Sequence, residues 1–406
     1  MTYEMFYTTQ AKKEQNFKNR GGKIVDFKDL SSLSKKLKKS NRSVVFTTGS
    51  YDLLNPGHCR YLAEAKSQGN VLVVGVSTDD SDRRTRGEGY PFVNEGIRAE
   101  MVSFLRTVDY VVNIDEAHPH GILALLRPDV FFTYHKSWEN GVRDKQEKYL
   151  VESFGGRVLV RDSSSPHFGI TDLVDHVADI RVIKILEDYL KGKVKNFYLD
   201  PETDLQPADY GEQKPKYEHA FDSNSLIVNF LELSALGQFY RKKSKTVVFV
   251  SGSYDLLHVG HARFIEQAGL MADILVVGVP SDRSLRAVKG IGRPVITEHS
   301  RVYVLGHLDS VNHVVVFDDY NVRGSLEALK PDIFFTVAEE WNKDYKKSPE
   351  HAIVKSYGGE VVTAPRQAPF ISASAMIDRM AFKKVREIFK ECMDEERYEK
   401  MFKGLS

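Results

Sequence analysis

Two histidines three residues apart follow an apolar run in the stretch Phe249-Val250-Ser251-Gly252-Ser253-Tyr254-Asp255-Leu256-Leu257-His258-Val259-Gly260-His261. Its order predicts a buried strand over Val247 to Val250, a tight turn at Gly252, and a helix opening at His258. Residues three apart share one helix face, so His258 and His261 are expected to point the same way. Gly260 lies between them and carries no side chain to obstruct a ligand's approach to the backbone. The first amides of a helix are unpaired and partly positive, which suits a phosphate. Strand, glycine turn, His-x-Gly-His and helix together predict a nucleoside triphosphate pocket, with Gly252, Ser253, Tyr254, Asp255 and Gly260 against the nucleotide.

The elements that position this pocket occur twice. Val44-Val45-Phe46-Thr47-Thr48-Gly49-Ser50-Tyr51-Asp52-Leu53-Leu54-Asn55-Pro56-Gly57-His58 repeats the stretch earlier in the chain. Gly49 pairs with Gly252, His58 with His261, Arg98 with Arg301, Trp138 with Trp341 and Pro166 with Pro369, each 203 positions apart. The register runs without a gap from about Val44 to about Val174, so the chain holds a duplicated domain. Strands are predicted near Val44–Thr48, Val71–Val76, Tyr110–Ile114, Val130–Thr133 and Arg157–Val160. The second copy repeats them near Val247–Ser251, Ile274–Val279, His313–Phe317, Ile333–Thr336 and Glu360–Thr363. These runs are almost continuously apolar and alternate with helical stretches. That pattern predicts two tandem α/β domains, each a doubly wound parallel sheet covered on both faces. Ligands then sit at the carboxyl ends of the strands, where the winding reverses.

The expected organisation is an N-terminal extension over 1–22, repeat 1 over 23–190, a linker over 191–222, repeat 2 over 223–380 and a C-terminal helix over 381–406. Lys191 to Asp222 is rich in Pro, Asp, Glu and Lys, as an extended linker is. Ser225 to Tyr240 reads as one helix with Leu226, Phe230, Leu233 and Leu236 on a single face. Ala381 to Phe402 reads as an amphipathic helix with an apolar stripe through Phe382, Val385, Phe389 and Met393.

At 406 residues there is room for two or three cored domains, and 42% hydrophobic with 28% charged content is ordinary for a globular chain. A formal net charge of +1 gives no electrostatic case for nucleic acid or an anionic membrane as main partner. No apolar run reaches the length of a membrane span. Cys59 and Cys392 provide no disulfide framework and fit a reducing, cytoplasmic setting. Met1 to Arg20 is polar and lacks the apolar core of a signal peptide. His58 beside Cys59 lacks further ligands, so no protein-held metal site is expected.

With its strand and glycine turn, His258-Val259-Gly260-His261 resembles the His-x-Gly-His nucleotidyltransferase superfamily. Both repeats resemble the cytidylyl- and adenylyltransferase domains that activate sugar, polyol or aminoalcohol phosphates. Leu72, Gly75, Asp79, Arg98, Val108-Asp109, Asp115-Glu116 and Arg127-Pro128-Asp129-Val130 carry the likeness. Leu275, Asp282, Arg301 and Pro331-Asp332-Ile333 echo it. The resemblance implies attack of a substrate phosphate on the α-phosphorus of CTP or ATP, with pyrophosphate leaving. It also implies Mg²⁺ on the triphosphate. His258 and His261 match the signature histidines, Lys289-Gly290 a mobile Lys-Gly loop, and Arg301 an arginine at the next helix start. These four are the expected catalytic residues. Ile371-Ser372-Ala373-Ser374 resembles a second phosphate-binding helix start, with Ser372 and Ser374 keeping hydroxyls. Ser372 also reads as a plain N-cap.

Repeat 1 departs where the chemistry is concentrated. Asn55 stands in place of the first histidine and cannot carry a positive charge. His58 remains, Gly49 keeps the turn, and Arg86 and Arg98 take the Lys289 and Arg301 positions. Phe168-Gly169-Ile170-Thr171 leaves Thr171 as the one hydroxyl of its late segment. Repeat 1 is therefore expected to be a degenerate site and repeat 2 the working one. Thr133-Tyr134-His135-Lys136 and Thr336-Val337-Ala338-Glu339 replace the Lys-Gly-Gly-Asp segment of heptose enzymes, so acceptor specificity is not inherited. Related single-domain enzymes are commonly dimers, which implies an internal pseudo-dimer or a homo-oligomer. The competing reading is a nucleotide-binding pseudoenzyme or regulator. A dinucleotide oxidoreductase is disfavoured, because no Gly-x-Gly-x-x-Gly turn follows either first strand.

Overall fold

β-Branched and aromatic runs fit a pleated, buried surface, and in the computed structural model they form the strands. The structure describes residues 20–115, 119–134, 142–161, 173–175, 177, 226–290, 292–318, 321–340, 345–368 and 371–392. Two compact units divide the chain, one built on each repeat. In the first, β1 (Val44–Gly49), β2 (Val71–Ser77), β3 (Tyr110–Ile114), β4 (Val130–Tyr134) and β5 (Arg157–Arg161) form a sheet of order β3-β2-β1-β4-β5. The second contains β6 (Ile227–Val228), β7 (Val247–Ser251), β8 (Ile274–Pro280), β9 (His313–Phe317), β10 (Ile333–Val337) and β11 (Glu360–Ala364). Their order is β11-β10-β7-β8-β9-β6. Every strand pairing is parallel. All ten predicted strands are present, with ends within a residue of expectation.

Both sheets wind outward from β1 or β7, then cross back to β4 or β10. The reversal leaves a crevice at the carboxyl ends of β1 and β7, where Gly49 and Gly252 begin their turns. β2 is apolar and buried from Val71 through Val74, as a strand covered on both faces must be. Leu30, Leu33 and Leu37 seal one face of the first sheet, and Leu233, Leu236 and Tyr240 do the same in the second. The Pro-Asp segments are fasteners: Asp129 Oδ2 accepts the Val44 N–H at 2.7 Å, and Asp332 Oδ2 accepts that of Val247 at 2.8 Å.

Three expectations change. The stretch 226–242 is not one helix. Ile227 and Val228 pair with Val314 and Val315, a 3-10 turn follows at Phe230–Glu232, and the α-helix begins only at Leu233. The β-branched pair favours extended backbone, and Asn229 with Glu232 closes a reciprocal capping box that starts the turn. The same edge exists in repeat 1, where Ile24 bridges Val111, so the duplicated register starts at Ile24 and not near Val44. At the other end, one continuous helix runs Ala373–Cys392, joining the serine segment to the start of the expected terminal helix. Trp138, Trp341, Phe168–Thr171 and the linker 191–222 lie outside the described residues.

Candidate active site

In repeat 2, the chain reverses after β7 through Tyr254, whose φ of +48° is rare for a residue with a side chain. Its ring folds back beneath Gly252, where an added Cβ would meet it at 2.8 Å. That close approach is the reason for glycine here. The reversal brings Asp255 to face the segment after Pro294. Its carboxylate accepts the N–H groups of Val295 at 2.6 Å and Ile296 at 3.0 Å, and pairs with Arg293 at 2.6 Å. Asp255 is 1% exposed, so its oxygens face protein. Expected as a nucleotide contact, it tethers the turn to the segment after Pro294.

Arg301, expected among the catalytic groups, is placed similarly. Its side chain is fully buried. It donates to the carbonyls of Ile296 at 3.1 Å, Ser253 at 2.8 Å and Pro280 at 2.8 Å, and to Asp282 at 2.8 Å. One guanidinium thus fixes three backbone segments that meet at the crevice. Asp282 is held by Arg301 while its own N–H goes to Glu298 at 2.7 Å.

The groups facing the crevice are fewer. His258 is the N-cap, with extended backbone at φ −133° and ψ 169°, and the helix runs Val259–Gly269. The helix therefore opens one residue later than expected. No side chain caps it, and the N–H groups of Val259 and Gly260 have no described acceptor. The His258 and His261 rings stack with centroids 3.7 Å apart at 20°. Gly260 permits this stack, since a Cβ there would lie 3.1 Å from the His258 ring. Tyr254 meets His261 edge-on at 5.3 Å. The His258 Nδ1 atom is buried without a described hydrogen-bond partner.

Electrostatics reveal what surrounds the pair. Desolvation, with Arg366 adding to it, lowers the His258 pKa to about 4. His261 is pushed well below its usual value by burial, then by His258, Lys289 and Arg366, with the Leu256 carbonyl opposing. Both imidazoles are neutral at neutral pH, inside a field that two further cations make positive. Arg366 is absent from the sequence reading; its one available signal was a basic residue six positions before Ser372. Lys289 is exposed and donates to Ser253 Oγ at 2.9 Å, bringing its ammonium across the glycine turn. Ser372 Oγ accepts the Ala375 N–H at 3.1 Å, an N-cap bond. Ser374 Oγ accepts from Arg293 at 3.4 Å. Arg293, also unanticipated, thereby ties Asp255 to the second helix start.

Repeat 1 shares this frame with different fittings. Gly49 and Tyr51 repeat the folded turn, with Tyr51 at φ +53°. Asp52 accepts from Phe92 and Val93 N–H, both at 2.9 Å, and Arg98 holds the Ser50 carbonyl at 2.7 Å. Asn55 is the N-cap of the helix Pro56–Ser67, and its Oδ1 accepts the His58 N–H at 3.1 Å. The first helical residue is proline, which has no N–H. This helix start offers fewer open donors than its counterpart. Burial, then Arg86, lowers the His58 pKa to about 4. Arg86 turns inward to Ser50 Oγ at 2.8 Å. Thr171 lies outside the described residues.

Among the described residues, no three His, Cys, Asp or Glu side chains converge on a metal position. The Asp255 carboxylate is already engaged by N–H and guanidinium donors and Asp282 by Arg301, so the described residues present no ready-made protein cage for magnesium. An ion carried on triphosphate oxygens and water needs none of them. Nor is any described helix long and apolar enough to cross a membrane.

The chain is similar in sequence to known proteins. Bifunctional protein HldE of Geotalea uraniireducens is 38% identical over 220 residues, 53% of this chain and 41% of that protein. Bifunctional protein HldE of Syntrophotalea carbinolica is 38% identical over 147 residues, 35% of this chain and 29% of its own. The chain thus spans less than half the length of these curated relatives. Among solved structures, a lipopolysaccharide core biosynthesis protein from Thermoplasma volcanium aligns with 26% identity and a TM-score of 0.26. The alignment covers 30% of this chain and 95% of that one. The cytidylyltransferase-like family profile matches residues 46–185 and 249–379, one segment over each repeat. With both halves matched and each folded as a parallel α/β domain, the chain belongs to the cytidylyltransferase-like family of nucleotidyltransferases, carrying its domain twice in tandem.

Proposed function

We propose that repeat 2 transfers CMP or AMP from CTP or ATP to a small phosphomonoester, a sugar, polyol or aminoalcohol phosphate, releasing pyrophosphate. One observation carries the reading. The stacked His258–His261 pair stands at an uncapped helix start, with Lys289 and Arg366 close enough to shift its titration. Every one of these features favours a polyanion.

The proposed step forms a bond from an acceptor phosphate oxygen to the α-phosphorus and breaks the bond from that phosphorus to the α–β bridging oxygen. The attacking phosphate is already anionic, so no base has to remove a proton. The chain's task is to hold the reactants in line and to neutralise charge on the departing pyrophosphate. Lys289 and Arg366 supply fixed positive charge, and the amides of Val259 and Gly260 supply oriented donors. His258 and His261 are neutral beforehand and gain protons as the triphosphate's charge raises their pKa. Arg301 and Asp255 act at one remove, fixing the turn that carries Ser253. Magnesium, where present, enters on the nucleotide.

The test is pyrophosphate release from CTP and from ATP with a panel of phosphomonoesters, product mass being read in parallel. Wild type should turn over one triphosphate with at least one acceptor class, and His261→Ala should not. If both triphosphates bind at repeat 2 and neither is consumed with any acceptor, the chain is a nucleotide-binding pseudoenzyme.

A further inference from the structure

The helix Asp79–Arg86 reads Asp-Asp-Ser-Asp-Arg-Arg-Thr-Arg, a charge-dense segment of the kind that usually faces solvent. Two of its acids turn inward, Asp79 onto Arg98 at 2.7 Å and Asp82. Asp82 is 2% exposed, and its counterpart 203 positions on, Leu285, is 4% exposed. The position faces inward in both repeats, and repeat 1 fills it with a carboxylate.

That carboxylate lies beneath the crevice. Asp82 Oδ1 accepts from Ser77 Oγ at 2.6 Å, and Oδ2 accepts from Ser50 Oγ, the serine of the glycine turn. Arg86 and Arg98 each approach Oδ2 to 3.5 Å. Arg86 lies 3.6 Å from Asp52 as well, and its guanidinium covers the Tyr90 ring at 4.0 Å. Its side chain is only 22% exposed. Lys289, at the matching position, is exposed. The cation due to meet a triphosphate is drawn into a bed of carboxylates in one repeat and left at the rim in the other.

The charge balance reverses accordingly. At six matched positions, repeat 1 has Asp52, Asp79, Asp82, Arg86, Tyr90 and Arg98, three carboxylates against two guanidiniums. Repeat 2 has Asp255, Asp282, Leu285, Lys289, Arg293 and Arg301, two carboxylates against three cations. The same frame therefore changes from net −1 to net +1. Ser77, which supports Asp82, is matched by Pro280, which has no hydroxyl.

We propose that Asp82 is the specificity-determining residue of the first repeat: a built-in anion that, together with the Asn55 cap, occupies the phosphate-binding electrostatics and excludes nucleoside triphosphates. This rests on reading repeat 2 as the triphosphate site, whose charge pattern supplies the contrast.

The test is binding stoichiometry on the full chain, by calorimetry with α,β-methylene analogues of ATP and CTP, which cannot be cleaved at the α–β bond. Wild type should bind one equivalent. Asn55→His with Asp82→Leu should bind two, and adding His58→Ala should return the count to one. Because leucine strands the Ser50 and Ser77 hydroxyls, Asp82→Asn is measured beside it. It keeps an acceptor and removes the charge, and should tighten binding at repeat 1 by about tenfold or more, bringing a second equivalent into range. Two equivalents on wild type, one removed by His58→Ala, would overturn the proposal. So would folded Asp82→Leu/Asn55→His and Asp82→Asn proteins that gain no equivalent. If wild type binds none and the double variant gains one, Asp82 keeps its role and the assignment of repeat 2 falls.

Discussion

His258→Asn separates stability from function at the centre of the site, because repeat 1 shows what the substituted position looks like. There Asn55 accepts the His58 N–H at 3.1 Å, while His258 caps nothing. An asparagine at 258 gains an N-cap bond of about 1 kcal/mol. It also removes a buried Nδ1 without a described partner, relieving about 1 kcal/mol. Against these stands the loss of the His258–His261 stack at 3.7 Å, about 0.5–1.5 kcal/mol. The net change is a stabilisation of about 0.5–1.5 kcal/mol, a rise of roughly 1–6 °C in the melting temperature of a domain this size. Turnover should move the other way. Removing one preorganised group that meets developing charge costs about 10²–10³ in kcat. Scanning calorimetry gives the first number and pyrophosphate release with the active triphosphate the second. Turnover within about threefold of wild type would refute the argument. A melting temperature that falls with activity would refute it too, because the loss would then be one of folding.

Three further outcomes follow from the geometry. Lys289→Ala removes an exposed ammonium whose hydroxyl partner is on the glycine turn; the KM for triphosphate should rise about tenfold or more with melting unchanged, and a matching fall in thermal stability would contradict this. Arg301→Ala strips four hydrogen bonds from a fully buried guanidinium; it should destabilise by about 3–5 kcal/mol and lower activity with it, whereas a stable, inactive variant would mark Arg301 as a direct ligand contact. The His258 pKa of about 4 in the free protein should rise beside a bound polyanion, so the complex holds more protons than the free protein between about 4 and the raised value. Triphosphate affinity therefore gains a term that strengthens as pH falls through that window, and calorimetry at a pH inside it, in buffers of different ionisation enthalpy, should show proton uptake; zero uptake or release there would exclude it.

The frame was legible because its signals are local. A parallel strand buried on both faces is a near-continuous apolar run, so Val71–Val76 and Ile274–Val279 announce themselves, and the offset of 203 fixes their partners. The histidine pair was legible because its glycine turn and helix start are contiguous. The sequence placed Asp255 and Arg301 in the right neighbourhood but did not show the backbone groups they hold. A motif's position shows that a residue belongs to a site, and burial decides whether it faces ligand or backbone. Arg366, Arg293 and Asp82 had no such local signal. Arg366 acts on histidines more than a hundred positions away, Arg293 joins Asp255 to Ser374 across two loops, and Asp82 is hidden in a run that reads as a solvated helix face.

Those hidden residues explain how one frame can hold two opposite electrostatic states. The bonds that shape the crevice are the same in both repeats: Asp52 and Asp255 each take two N–H groups from the segment after the proline. Arg98 and Arg301 each hold the serine carbonyl of the turn. None of these bonds requires a ligand, so the turn is built before any phosphate arrives. Positions 55, 82, 86 and 90, with their counterparts 258, 285, 289 and 293, surround that turn and differ in residue type between the repeats. Across them an anion is lost at 82/285 and a cation gained at 90/293, which changes the net charge around an unchanged turn. In repeat 1 they are satisfied by one another, through Asp82, Arg86 and the Asn55 cap. In repeat 2, neutral stacked imidazoles and the helix amides of Val259 and Gly260, which have no described acceptor, stand at the same place, and on the proposed reading that is the demand a triphosphate meets.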